Sequence, residues 1–165
     1  KVLGRDATPE EVKTIYAEKS AYYHQLLQTT TPTIPGIVDV LQFVKQQGHQ
    51  IWVVTGSGMR TLLDSLNEVF PSIFQQDKMI TAFDVMHGKP DPEPYLKAWG
   101  RSGLAKEPCG VIENAPLGIQ SGKAAGLTVY AVNTGILTKE DLSQADKVFD
   151  NMAELLDYLQ ASSKQ

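Results

Sequence analysis

Cysteine is nearly absent from the sequence, and several other features are missing as well. Cys109 is the single cysteine among 165 residues, which excludes an intrachain disulfide framework and a cysteine-based metal cluster and fits a reducing compartment. No apolar run reaches the roughly 18 residues that a membrane span requires. The basic residues are spread along the chain and the net charge is -4, which argues against a nucleic-acid surface. We therefore expect a cytoplasmic protein without a membrane or nucleic-acid partner.

The composition is that of an ordinary globular protein. Hydrophobic residues make up 42% of the chain, enough to bury one sizeable core. Thr8-Pro9-Glu10-Glu11 predicts the start of a long helix, because a capping threonine is followed by proline and, three residues on, by glutamate. Residues 28–36 then form a short polar segment punctuated by proline. We predict a first unit over 1–30, a hinge at 31–36 and a main unit over 37–165.

After the hinge, helical and strand patterns alternate, which is typical of a parallel sheet with crossover helices. The predicted helices cover 37–47, 59–69, 92–102, 116–125 and 152–160, and the predicted strands cover 51–54, 79–83, 110–113, 128–132 and 147–149. In such a sheet, polar residues that follow the carboxyl ends of strands meet in one crevice where ligands bind. The pattern predicts an α/β fold and indicates where a site should lie.

Two stretches at strand ends have the chemistry of phosphate binding. Thr55-Gly56-Ser57-Gly58 offers a hydroxyl and unobstructed backbone N–H groups, which suit a phosphate at the start of a helix. Small residues also serve simply to close a turn, and that alternative stays open. Lys89, between Gly88 and Pro90, supplies a point charge for phosphate oxygens. Its plain alternative is a solvated surface lysine.

A third stretch, at the end of the predicted strand 110–113, offers oxygen ligands. Glu113 and Asn114 carry the hard oxygens that Mg²⁺ prefers, usually with one or two protein carboxylates and several waters. Asn114 is also a favoured helix-capping residue, and it stands just before Ala115-Pro116. Both interpretations are open at this point.

Together the three stretches resemble the motifs of the haloacid dehalogenase superfamily of aspartate-based phosphotransferases, and within it the β-phosphoglucomutase-like branch. The segment similar to the second motif is Val53-Val54-Thr55-Gly56-Ser57-Gly58. The segment similar to the third is Gly88-Lys89-Pro90-Asp91-Pro92-Glu93-Pro94-Tyr95-Leu96, and the segment similar to the acidic fourth is Glu113-Asn114-Ala115-Pro116-Leu117-Gly118-Ile119-Gln120-Ser121-Gly122. The resemblance implies a Rossmann-like three-layer core together with a remnant of an α-helical cap in the first unit. It implies catalytic roles for Thr55 and Lys89, phosphate binding by Thr55, Gly56, Ser57 and Lys89, and a Mg²⁺ site at Glu113 and Asn114.

Two departures from the family pattern affect these expectations. Asn114 fills a position that is aspartate in most of this branch, which implies weaker or retuned Mg²⁺ binding. The same variant resembles a subgroup that includes an inorganic pyrophosphatase. The first motif, an apolar strand ending in Asp-x-Asp-Gly that carries the nucleophile, has no counterpart here. We therefore expect the parallel sheet to lack its first, central strand, and the chain to be an inactive C-terminal part of a longer enzyme.

The resemblance thus implies magnesium-dependent phosphoryl transfer or hydrolysis on a small phosphorylated metabolite, by a protein that is a monomer in its full-length form. One alternative is an inorganic pyrophosphatase of the same fold. Another is a non-catalytic phosphate-binding or interaction module, because receiver-type α/β domains also place a hydroxyl and a lysine at successive strand ends. An Asp-x-Asp sequence upstream of Lys1 would distinguish the enzymes from the module.

Overall fold

A computed structural model describes residues 5–27, 33–58 and 62–163. It divides the chain into two units, residues 1–33 and 34–165. None of the helices in the described part of the chain is long and apolar enough to cross a membrane.

The described part of the first unit contains one helix, α1 (Pro9–Leu27). Its start is the predicted capping arrangement: the Thr8 N–H donates to Glu11 Oε2 at 2.8 Å, and the Glu11 N–H donates to Thr8 Oγ1 at 3.2 Å. The Arg5 guanidinium holds both oxygens of the same carboxylate and lowers the pKa of Glu11 to about 2. Apolar side chains of α1 are exposed, namely those of Val12, Ile15, Tyr16 and Tyr22. The assignment of this unit to a cap stays a prediction.

The second unit alternates helices and strands, because apolar residues recur with helical and strand spacing in turn. Its elements in chain order are α2 (Ile37–Gln46), β1 (Val53–Val54), α3 (Leu62–Val69), β2 (Met79–Ile80), α4 (Glu93–Ser102), β3 (Gly110–Glu113), α5 (Pro116–Ala124), β4 (Thr128–Val132), β5 (Lys147–Phe149) and α6 (Met152–Ser162). A 3-10 helix, Gln76–Lys78, precedes β2.

The strands form two separate parallel sheets. β1 pairs with β2, with Val53 opposite Met79. β4 lies between β3 and β5, so that Tyr130 stands opposite Ile112 on one side and Lys147 on the other. The predicted α/β fold with parallel strands is confirmed. Within the described residues the sheet is divided, and β1 and β3 each have one edge without a strand partner.

The core consists of two apolar clusters on opposite faces of the three-stranded sheet. Successive side chains of a strand point to opposite faces, and in β4 the fully buried Val129 and Ala131 belong to one cluster while Val132 belongs to the other. The first cluster also contains Tyr95 from α4 and residues of α5, and the second contains residues of α2 and α6. Helices therefore cover both faces, giving the three layers that the resemblance implied.

Two predicted strands are shorter than expected. The strand predicted over 79–83 ends at Ile80, because Asp84 Oδ2 accepts hydrogen bonds from both the N–H and the hydroxyl of Thr81 and turns the backbone away from the sheet. The strand predicted over 51–54 begins at Val53, since the two-residue β2 offers pairing partners to Val53 and Val54 alone. Residues 59–61 of the helix predicted over 59–69 lie outside the described residues.

Candidate active site

Lys89 occupies the loop between β2 and α4, and its ammonium group is held on three sides. Lys89 Nζ donates to Glu113 Oε1 at 2.5 Å and to the carbonyl oxygen of Val54 at 3.0 Å. It also lies 4.8 Å from the centre of the Tyr95 ring, within the range of a cation–π contact. The side chain is 19% exposed. The alternative of a solvated surface lysine is therefore wrong.

Two anchors fix the loop that carries this lysine. The hydroxyl of Ser121, a fully buried residue of α5, donates to the Asp91 carbonyl at 2.6 Å. The carboxylate of Glu93, at the start of α4, accepts the backbone N–H groups of Met86 and His87 at 3.0 and 2.8 Å. The loop is thus attached to one helix on each side of the lysine, which reduces the conformational freedom of its backbone.

Glu113 lies at the carboxyl end of β3, where its side chain is 9% exposed. Besides Lys89, the Tyr95 hydroxyl donates to Oε1 at 2.7 Å, and the Asn114 N–H donates to Oε2 at 3.0 Å. Burial and the adjacent Glu113 carboxylate raise the pKa of Tyr95, so its hydroxyl keeps its proton and remains a donor. A Cβ added at Gly118 would lie 2.0 Å from Glu113 Oε1, so glycine is required for this side-chain position.

Thr55 follows β1 directly and begins the small-residue turn. Its N–H donates to the Ile80 carbonyl of β2 at 2.9 Å, and its hydroxyl oxygen accepts the Ser57 N–H at 3.1 Å. A Cβ added at Gly56 would meet no atom within 4 Å, so the backbone there is open to approach. The hydroxyl of Thr55 still has its own hydrogen to donate, as a phosphate oxygen would require.

Asn114 follows Glu113 and does not cap the next helix. The N-cap residue of α5 is Ala115, which has no side-chain capping bond, so the capping alternative is wrong. The Asn114 amide nitrogen lies 3.5 Å from the hydroxyl oxygen of Thr134, which follows the carboxyl end of β4. Asn114 is exposed, and its amide faces the ends of two neighbouring strands.

The structure brings the predicted site residues to one edge. A cleft of about 930 Å³ is lined by residues of β1, β3 and the loops at their carboxyl ends, including Thr55, Gly56, Lys89, Glu113 and Asn114. Ser57 belongs to the same turn through its bond to Thr55. The edge therefore combines hydroxyl, ammonium, carboxylate and amide groups, which is a set able to bind a phosphoryl group and a cation.

The donor set at Glu113 and Asn114 fits a magnesium ion in part. Oε1 of Glu113 is occupied by two donors, whereas within the described part of the chain Oε2 accepts only the Asn114 N–H and keeps lone-pair capacity. No group of three or more His, Cys, Asp or Glu residues placed for a metal occurs among the described residues. Mg²⁺ characteristically takes one or two protein carboxylates and completes its shell with water and substrate phosphate. These two residues are thus suited to supply part of such a shell.

Three residues of the site were not singled out from the sequence. Tyr95 and Gly118 support Glu113, and Thr134 contacts Asn114. For Thr134 a signal existed, because it follows the predicted strand 128–132 as a polar residue at a strand end. Tyr95 belongs to the stretch that resembles the third motif, but that resemblance gave it no role of its own. It lies within an amphipathic helix, and the packing of α4 against β1 and α5 brings its hydroxyl to Glu113.

Comparison with known proteins identifies the family. The family model described as haloacid dehalogenase-like hydrolase matches residues 2–132. The chain belongs to this family. Its place in the β-phosphoglucomutase-like branch, which the motifs implied, is also confirmed by solved structures.

Two solved structures show this likeness across nearly the whole chain. One is a protein from Bacteroides vulgatus, assigned provisionally as a beta-phosphoglucomutase, which is 44% identical, with a TM-score of 0.83 over 98% of this chain and 67% of the other. The other is a beta-phosphoglucomutase from Clostridium difficile, which is 26% identical, with a TM-score of 0.75 over 93% of this chain and 67% of the other.

Several curated relatives are named as phosphatases of phosphorylated small molecules. Hexitol phosphatase A of Escherichia coli is 32% identical over 126 residues, which are 74% of this chain and 55% of the relative. Glycerol-1-phosphate phosphohydrolase 1 of Saccharomyces cerevisiae is 36% identical over 110 residues, which are 61% of this chain and 43% of the relative. The haloacid dehalogenase-like chain thus spans about half the length of these curated relatives.

Proposed function

We propose that this chain carries the phosphate-binding and cation-binding half of an enzyme that removes or transfers the phosphoryl group of a small phosphorylated metabolite. The observation that supports this most directly is the Lys89–Glu113 pair beside the Thr55 turn. A lysine bound to a carboxylate at the carboxyl edge of parallel strands offers positive charge to a phosphate where that fold binds its ligands. The phosphatases and beta-phosphoglucomutases among its relatives support the same reaction class.

In this proposal each site residue has a distinct task. The Thr55 hydroxyl and nearby backbone N–H groups bind oxygens of the transferring phosphoryl group. Lys89 lies against the same group and offsets the negative charge that gathers during transfer. Glu113 and Asn114 would hold Mg²⁺, which when bound supplies further charge neutralisation to the phosphoryl oxygens. The lower charge of Asn114, compared with an aspartate, weakens cation binding without abolishing it.

We also propose that the nucleophile is an aspartate on a strand outside these 165 residues. The 930 Å³ cleft continues between β1 and β3. Each of these two strands has one edge without a strand partner among the residues that the structure describes. Because the Thr55 N–H bonds to β2, the alternation of the backbone directs the Val54 carbonyl into the cleft. Lys89 contacts both this carbonyl and Glu113, so the carboxyl ends of β1 and β3 lie at the same end of the cleft. A parallel strand inserted there would bring its last residues to Lys89.

An aspartate on that strand would attack phosphorus as the bond between phosphorus and the substrate oxygen breaks, and that oxygen would leave and take a proton. The aspartate would then carry the phosphoryl group until water or a second hydroxyl attacks phosphorus, gives up its proton and releases the carboxylate. This chain alone is then expected to bind phosphate but not to turn over substrate. The alternative of pyrophosphate hydrolysis needs the same residues. It differs from hydrolysis of a phosphorylated metabolite only in the substrate, so an assay with both substrates distinguishes the two.

The test uses the complete gene product that contains this chain. Release of inorganic phosphate is measured with Mg²⁺ on phosphorylated polyols, phosphorylated sugars and pyrophosphate. Lys89→Met removes the ammonium group and keeps the aliphatic stem, and it is expected to lower kcat by about 10²-fold or more. Lys106→Met is the matched control, because Lys106 also donates to a backbone carbonyl, at 2.8 Å, and lies 4.6 Å from an aromatic ring centre, yet away from the site.

Lys106→Met is expected to keep kcat within about twofold of the unsubstituted protein, since a hydrogen bond of this kind contributes about 1 kcal/mol to stability and nothing to the reaction. Equal activity of the two variants would refute the proposal and favour the non-catalytic module. No phosphate release from any of the three substrate classes would refute hydrolysis and leave transfer to a second hydroxyl, which is then measured as conversion between phosphorylated sugars.

A further inference from the structure

The two oxygens of the Glu113 carboxylate have unequal surroundings. Oε1 accepts hydrogen bonds from Lys89 Nζ and from the Tyr95 hydroxyl, whereas Oε2 accepts only the N–H of Asn114. Carboxylate torsions are broad and roughly two-fold, so the side chain itself does not determine which oxygen points where. The donors around the carboxylate determine it.

Tyr95 contacts both members of the charged pair. It is 5% exposed, its hydroxyl lies 2.7 Å from Glu113 Oε1 and its ring centre lies 4.8 Å from Lys89 Nζ. The hydroxyl fixes the carboxylate and the ring lies against the ammonium group. These two contacts can be separated experimentally, because phenylalanine keeps the ring and removes the hydroxyl.

We propose that Tyr95 is a positioning residue for the cation: its hydroxyl holds Oε1 of Glu113 so that Oε2 is the oxygen presented to Mg²⁺ beside Asn114. The proposal rests on the proposed function, since it concerns the same site. Hydrogen bonds to a ligating carboxylate from outside the metal shell orient that ligand, and their loss typically costs about 10–100-fold in metal affinity or activity. Among the described residues, loss of the hydroxyl leaves Lys89 Nζ as the remaining donor to Oε1 of Glu113.

The experiment compares Tyr95→Phe with Tyr158→Phe in the complete gene product. Tyr158 is the matched control, because it is also a tyrosine whose ring lies against a lysine, with Lys147 Nζ 3.8 Å from the ring centre, but it lies on α6. Binding of Mn²⁺ alone is measured by electron paramagnetic resonance. The Mg²⁺ concentration for half-maximal phosphate release and the substrate KM at saturating Mg²⁺ are measured on the phosphorylated polyol or sugar that the unsubstituted protein cleaves fastest.

For Tyr95→Phe we expect the Mn²⁺ Kd and the half-saturating Mg²⁺ concentration to rise by about 10–100-fold, with substrate KM changed less than about twofold. Tyr158→Phe is expected to leave all three quantities unchanged. A merely structural role for Tyr95 would lower the unfolding midpoint but leave cation binding unchanged, and that result would overturn the proposal.

The Lys89→Met variant separates this inference from the proposed function. If Lys89→Met remains active, the proposed function fails. If it is inactive while Tyr95→Phe binds Mn²⁺ as tightly as Tyr158→Phe does, only the role of Tyr95 is overturned. Circular dichroism is recorded for every variant, and should Tyr95→Phe unfold at the assay temperature, all proteins are compared at a lower temperature where each is folded.

Discussion

Replacement of Gly118 by alanine should break the hydrogen bond between Lys89 and Glu113 without changing any charged residue. The added Cβ would lie 2.0 Å from Glu113 Oε1 and 2.1 Å from the carboxyl carbon, far inside van der Waals contact. Gly118 is buried in the first turn of α5, so the helix cannot simply tilt its side chain toward solvent. The Glu113 carboxylate must therefore move and leave Lys89.

The magnitude follows from the bonds that break. A hydrogen bond to a charged group contributes about 1.5–3 kcal/mol to stability, and this pair is largely shielded from solvent, with side-chain exposures of 19% and 9%. Alanine in a helix is itself favoured over glycine by about 0.5–1 kcal/mol. This gain offsets part of the loss. The difference in free energy of unfolding between Gly118→Ala and the unsubstituted chain is therefore smaller than the contribution of the broken hydrogen bonds.

Gly100→Ala removes that ambiguity. Gly100 lies in α4, is exposed, and has no atom within 4 Å of the position that a Cβ would take. The change in free energy of unfolding of Gly100→Ala therefore measures only the preference of a helix for alanine over glycine. The difference in free energy of unfolding between the two alanine variants should be about 1.5–3 kcal/mol, with Gly118→Ala the less stable.

Urea unfolding of the 165-residue chain, followed by tryptophan fluorescence, measures this difference. Unchanged slopes with urea would indicate that both variants unfold from equally compact states. Equal stability of Gly118→Ala and Gly100→Ala would refute the reasoning, since it would mean that Glu113 gains as much in a new position as it loses in the old one.

Two further predictions concern pH and charge. Lys97 and the Met86 and His87 N–H groups lower the pKa of Glu93 from 4.5 to about 2, so its contribution to stability is present above pH 4.5 and lost as the pH falls towards 2. Glu93→Gln should therefore lower the urea midpoint more at pH 7 than at pH 2.5; an equal loss at both would contradict this. Asn114→Asp adds a carboxylate and should lower the half-saturating Mg²⁺ concentration about tenfold, whereas an unchanged value would exclude Asn114 from the cation site.

The parts of the fold that the sequence predicted are those fixed by local chemistry. The Thr8–Glu11 capping pair set the start of α1, and Pro116 begins α5 as its spacing indicated. Strands at 110–113, 128–132 and 147–149 were found as predicted, because each is a short apolar run bounded by turn residues. The order of the motifs along the chain likewise indicated that they would meet at one edge.

The rest depended on contacts between segments that are distant in sequence. The predicted end of β2 was wrong because the Thr81 N–H and hydroxyl both donate to the Asp84 carboxylate. Such local hydrogen bonds compete with strand pairing, and they leave no periodic pattern in the sequence. The support of Glu113 by Tyr95 depends on where α4 packs. Whether Lys89 would be solvated or buried also could not be read from its neighbours, since its partners lie 24 and 35 residues away.

The open edges of β1 and β3 have a consequence for the behaviour of the chain in solution. A strand edge with unpaired N–H and C=O groups is a template for any other extended chain, and proteins commonly guard such edges with lysine, proline or a bulge. Gly110–Glu113 and Val53–Val54 contain none of these residues. A strand that fills the cleft would pair with the same backbone N–H and C=O groups that another copy of the chain would use. We therefore expect the chain to associate at lower concentration when the cleft is empty than when a strand fills it.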